Sequence, residues 1–77
     1  MKIVLSCVGG SAQYFPGGGK KIEVEARDRD TIEDMLARLG VSKDLFMFAQ
    51  ANGEKVDLSY RVREGDDIML VSPLAGG

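Results

Sequence analysis

Few residues in this sequence are of a type that performs chemistry. There is no histidine and a single cysteine, Cys7, so neither a nucleophile–histidine pair nor a thiolate or imidazole metal site has the residues to form. The lone thiol also excludes an iron–sulfur cluster held by four cysteines. Cys7 shares strand parity with Ile3 and Leu5, which makes it a buried strand residue rather than a reactive one. Glu64, Asp66 and Asp67 cluster around Gly65 and read as solvated turn residues, not as a general acid–base pair. Gly17-Gly18-Gly19-Lys20 suggests a phosphate loop, but that motif needs a glycine where Tyr14 stands and a Ser or Thr where Lys21 stands. A hairpin loop is the better account. What remains is the end of the chain. Ser72-Pro73-Leu74-Ala75-Gly76-Gly77 finishes on two residues without side chains, so its chemistry is that of a main-chain carboxylate on a slender, conformationally free stalk.

The elements that position this stalk are legible in the periodicity. Residues 2–7 alternate, with Ile3, Leu5 and Cys7 on one face, and predict a first strand. Gly9, Gly10, Pro16, Gly17, Gly18 and Gly19 punctuate a loop that ends at Lys20. Alternation returns over residues 21–27, with Ile22, Val24 and Ala26 inward, so residues 2–27 predict a hairpin. Asp30 and Thr31 offer N-cap chemistry to a helix whose apolar stripe is Ile32, Met35, Leu36 and Leu39, and Gly40 sits at its C-terminal cap. Residues 45–50 predict a central strand, Asn52-Gly53 a tight hairpin, and Val56 and Leu58 a short return strand. Glu64-Gly65-Asp66 marks a turn before a last strand over residues 68–71, which Pro73 closes because it lacks a ladder donor. This order of elements gives an α+β fold of the β-grasp, ubiquitin-like kind: a mixed four- to five-stranded sheet with one main helix on one face. The expected organisation is a domain over residues 1–72 and a flexible tail over residues 73–77.

Bulk properties narrow the partners. At 77 residues, 44% hydrophobic and 29% charged, the chain has room for one core and the composition of an ordinary globular protein. Ten basic against twelve acidic residues give a net charge of -2 with no basic stripe, which argues against nucleic acid as a partner. The N-terminal apolar run is too short for a secretory segment or a membrane span, so the expected location is cytoplasmic, with no membrane partner.

With these elements in place, the sequence resembles the ThiS/MoaD-type family of ubiquitin-like sulfur carriers, which includes the molybdopterin-synthase small subunit and the thiamine-pathway carrier. The resemblance rests on Asn52-Gly53 followed by Val56-Asp57-Leu58, on Arg63-Glu64-Gly65-Asp66-Asp67-Ile68, and on the Ser72 to Gly77 tail, in family-like order over essentially the whole chain. Tyr14-Phe15-Pro16-Gly17-Gly18 is similar to the molybdopterin branch. The resemblance implies a co-substrate and not an enzyme: a carrier with no permanently bound cofactor, whose Gly77 carboxylate is adenylated by a ubiquitin-activating-type adenylyltransferase using ATP. A sulfur donor such as a cysteine desulfurase or rhodanese then converts it to a thiocarboxylate. Molybdenum cofactor biosynthesis is the implied destination, with a molybdopterin-synthase large subunit as acceptor. Thiamine sulfur delivery and conjugation of Gly77 to proteins are the alternatives, and a β-grasp adaptor with an incidental tail is a further one. Gly76, Ala75 and Leu74 would give the tail access to a narrow enzyme tunnel, where a Cβ on the last residues would add width.

Strand parity also points to a docking surface. Met69 and Val71 should face away from the helix, and so should Val4 on the first strand. If the first and last strands are adjacent, these residues form an exposed apolar patch, extended by Phe46 and Phe48, or by Met47 instead. Such a patch reads as partner docking, against the alternatives of a covered sheet or a homodimer face. Arg61 and Arg63, expected beside the tail, read as solvated charges able to steer an acidic partner.

Overall fold

Alternating apolar and polar residues at the start of the chain become β1 (Lys2–Val8), which buries Ile3, Leu5 and Cys7. The computed structural model describes residues 1–10, 13 and 15–73. Pro16–Gly19 form a 3-10 turn, after which β2 (Ile22–Glu25) pairs antiparallel with β1, placing Ile3 opposite Val24 and Leu5 opposite Ile22. The expected hairpin is present, with a second strand shorter than residues 21–27.

Helix α1 (Ile32–Leu39) starts and stops where its caps dictate. The Thr31 Oγ1 accepts from the Asp34 N–H at 3.1 Å while the Asp34 carboxylate accepts from the Thr31 N–H at 3.0 Å. This reciprocal box satisfies donors that the first turn leaves open. At the other end Gly40 adopts φ +75°, and the Val41 N–H reaches back to the Leu36 carbonyl at 3.0 Å. The apolar stripe buries Ile32, Met35 and Leu36 against the sheet face made by Ile3, Leu5, Ile68 and Leu70. Asp30, just ahead of the helix, accepts from the Arg27 N–H at 2.8 Å and holds the Arg38 guanidinium in a two-pronged ion pair.

The segment expected to be a central strand over residues 45–50 divides in two. Lys43–Leu45 form a 3-10 turn whose start is capped by the Ser42 Oγ accepting from the Asp44 N–H, and only Phe48–Ala51 is strand, β3. A short apolar run does not by itself distinguish turn from strand, and the Ser42 cap decides for the turn. Asn52 and Gly53 then take φ of +54° and +88°, both left-handed, and return the chain as β4 (Glu54–Val56). Leu58 lies beyond β4.

Residues 57–66 cross back over the start of the helix. The Ile32 and Glu33 N–H groups donate to the carbonyls of Tyr60 and Leu58, and the Val62 N–H donates to the carbonyl of Asp30. The chain then enters β5 (Asp67–Val71), which lies between β1 and β3 in a sheet of order β2-β1-β5-β3-β4. The β1–β5 pair is parallel and the other pairs are antiparallel. The sheet is thus five-stranded and mixed, with α1 on one face.

A tail root beside an exposed apolar sheet face

The last strand does not release the chain at Val71. Its regular pairing with β1 ends with Val8 opposite Val71, and the last regular ladder bond runs from the Ser72 N–H to the Val8 carbonyl at 3.0 Å. The Ser72 hydroxyl donates to the same carbonyl at 3.1 Å, and the Gly10 N–H donates to the Pro73 carbonyl at 2.9 Å. Ser72 is buried. Attachment therefore extends through the carbonyl of Pro73, one residue past the expected domain boundary. Leu74, Ala75, Gly76 and Gly77, the residues assigned to tail access and activation, lie outside the described residues.

Next to this root, parity turns an apolar row outward. Val8, Val71 and Phe48 stand side by side across β1, β5 and β3, with Met69 opposite Gln50 in the adjoining outward row. Val71, Phe48 and Met69 are half-buried, whereas Val8 is 44% and Met47 66% exposed, the two large apolar side chains most open to solvent among the described residues. The Lys55 ammonium sits 4.7 Å from the centre of the Phe48 ring. A groove of about 590 Å³ opens beside it, lined on its apolar side by Met47, Phe48, Val56 and Leu58.

Several expected docking residues fall elsewhere. Phe46 is buried and meets Phe15 edge-to-face at 6.4 Å between ring centres, so it belongs to the core. The 3-10 turn ending at Leu45 directs it inward, so of Phe46, Met47 and Phe48 only Phe48 stands in the outward row, with Met47 exposed just ahead of it. Val4 does face outward but lies opposite Glu23 and Asp67, at the start of the β1–β5 pair and about 13 Å along β1 from Val8. It shares that outward face, diagonal to Met69 on the adjacent strand, with charged residues directly beside it. Val8 was missed because the first strand is one residue longer than its alternation suggested. Arg61 and Arg63 do not flank the tail root: Arg61 bridges to Thr31 at the helix start, and Arg63 precedes β5, whereas Pro73 follows the end of that strand.

The acidic cluster also differs from expectation. Asp66 is buried and accepts from the Asn52 amide, the Tyr60 hydroxyl and the Arg63 N–H, each at 2.9 Å. Burial pushes its pKa up, but the bonds from Asn52, Arg63 and Tyr60 together outweigh that and hold it below the usual carboxylate value. Burial and the same Asp66 bond raise the pKa of Tyr60. Asp67 pairs with Lys21 at 3.3 Å, and the Glu64 carboxylate accepts from the Lys2 N–H. Asp66 thus ties its turn to Asn52 and Tyr60, while Glu64 stays exposed, as expected. Cys7 is buried, as its parity implies, and burial raises its thiol pKa against a smaller opposing contact from Ser72. Among the described residues no helix is long and apolar enough to cross a membrane.

The profile of the ThiS family matches residues 10–77. No curated protein matches the sequence significantly. Among solved structures the chain is similar to the crystal structure of SAMP1 from Haloferax volcanii, with 20% identity, a TM-score of 0.72 and 100% of each chain covered. It is also similar to a ubiquitin-like protein from the hyperthermophilic archaea Caldiarchaeum subterraneum, with 20% identity, a TM-score of 0.52, and 94% of this chain and 95% of that one covered. These likenesses show the fold, the β-grasp expected from the order of elements.

Proposed function

The chain belongs to the ThiS family, and on that premise we propose that it is a ubiquitin-like sulfur carrier whose Gly77 carboxylate is adenylated, converted to a thiocarboxylate and spent in molybdopterin assembly. The observation that carries this reading is the juxtaposition of the tail root at Pro73 with the outward face of Val8, Phe48, Met69 and Val71. A partner seated on that face has the last four residues within its reach.

A free carboxylate is a poor acyl electrophile. A carboxylate oxygen of Gly77 attacks the α-phosphorus of ATP held by a ubiquitin-activating-type adenylyltransferase, and pyrophosphate leaves. The acyl carbon now carries AMP as a leaving group. A persulfide sulfur from a cysteine desulfurase or rhodanese displaces AMP, and a thiol reduces the acyl disulfide so formed, leaving the thiocarboxylate. No side chain of the carrier takes part in these bond changes, which makes it a co-substrate. Met69 and Val71 hold the activating enzyme; Leu74, Ala75 and Gly76 span the distance to its centre. The molybdopterin destination is supported by the Tyr14-Phe15-Pro16-Gly17-Gly18 segment, and its acceptor would be a molybdopterin-synthase large subunit.

A second reading shares the tail. The ubiquitin-like fold and the same activated carboxylate suit acyl transfer to a lysine of a target protein. Intact-mass measurement after incubation with the host's activating enzyme, ATP and a sulfur donor separates the two. Replacement of one oxygen by sulfur at the terminus is the expected result, and an unchanged carboxylate would sink the carrier reading. Target-linked ladders that disappear when Gly77 is deleted would favour conjugation.

A further inference from the structure

The pairing between the last strand and the first slips by one residue just where the tail begins. In a regular parallel ladder with Val8 opposite Val71, the Gly10 N–H would donate to the carbonyl of Ser72. It donates instead to that of Pro73. The slip is made at Gly9, whose φ is +106° and whose missing side chain leaves room for Ser72: a Cβ there would lie 2.4 Å from both the carbonyl oxygen and the Oγ of Ser72. No side chain fits that space without moving the Ser72 main chain. Ser72 braces the arrangement: its N–H makes the regular ladder bond to the Val8 carbonyl, and its hydroxyl adds a second bond to the same oxygen.

We propose that the turn over residues 8–10 is an anchor that fixes the point and direction at which the tail leaves the sheet, with Gly9 and Ser72 as its positioning residues. The proposal rests on the sulfur-carrier reading. From Pro73 the four remaining residues span at most about 14 Å, so the terminal carboxylate can meet only an active centre lying within that distance of the anchor. An enzyme docked on the Val8, Phe48 and Val71 face must present its nucleotide there. A root free to pivot would leave the docking equilibrium unchanged and reduce the fraction of docked carriers whose carboxylate is aligned for attack.

The test is ATP–pyrophosphate exchange by the host's adenylyltransferase with full-length carrier as the varied substrate, at a temperature where circular dichroism shows each variant folded. Ser72→Ala should lower kcat about fivefold with KM changed less than about twofold, the signature of lost alignment rather than lost docking. Ser72→Thr, which keeps the hydroxyl, should recover most of that loss. Gly9→Ala, which forces Ser72 aside, should lower kcat by more than about tenfold. Should Gly9→Ala not fold, the Ser72 pair decides. Unchanged kcat in Ser72→Ala, or a loss confined to KM, overturns the anchor while leaving the carrier reading intact. A wild-type chain that the enzyme never adenylates overturns both.

Discussion

Phe46 and Phe48 have separate roles because the chain passes from a 3-10 turn to a strand between them. Phe46→Ala removes a buried ring and should cost about 3–5 kcal/mol, enough to unfold much of a small domain. Phe48→Ala loses a half-exposed ring and its contact with Lys55, worth about 1 kcal/mol. Chemical denaturation of the two variants checks the contrast, and equal losses would place both rings in the core. The buried carboxylates set a pH limit. Asp30, through its hydrogen bonds with Arg38, and Asp66, through Asn52, Arg63 and Tyr60, both have folded pKa values below the ordinary 3.8. The unfolded chain therefore binds protons more readily, so the stability from these groups is complete above that value and drains as pH falls through it toward the folded pKa values. The urea midpoint should fall as pH drops below about 4, and Asp66→Ala should lose stability at neutral pH and flatten that dependence.

At the scale of elements, α1 depends on its caps more than on its two turns of chain. Thr31→Ala breaks the reciprocal box with Asp34 and should cost about 1 kcal/mol, lowering the melting temperature by about 4–8 °C. No fall in thermal melting would mean the box contributes nothing. The helix was legible in the sequence because stripe, N-cap and Gly40 all agree, and the Asn52-Gly53 hairpin because few other dipeptides accept two left-handed residues. Residues 45–50 were not, since an unbroken apolar run carries no period and its fate turned on a hydroxyl at Ser42 and the edge-to-face contact of Phe46 with Phe15. Asp66 escaped for a related reason: a carboxylate next to Gly65 looks solvated until Asn52, fourteen residues earlier, is folded onto it. Of the outward-facing residues, Met69 and Val71 follow from strand parity alone. Val8 depended on where β1 stops, and parity could not reveal that Glu23 and Asp67 stand beside Val4.

For the molecule as a whole, one sheet face builds the core and the other stays outside it, with the tail root at its rim. Met69→Asp places a charge on that outer face without touching the buried residues. It should raise KM for carrier adenylation by about tenfold or more while leaving the melting temperature nearly unchanged, which enzyme kinetics alongside calorimetry would read. A variant with unaltered KM would remove this face from the docking surface. The strand order β2-β1-β5-β3-β4 has one more consequence. The last strand to be synthesised is the middle strand of the sheet, so a chain interrupted before β5 cannot close its core, and both halves of the sheet wait for it. The outer apolar face, assembled around Met69 and Val71, thus comes into being only in chains translated at least to the root of the tail. On the proposed function, an activating enzyme that recognises the folded face would therefore discriminate against copies truncated before β5.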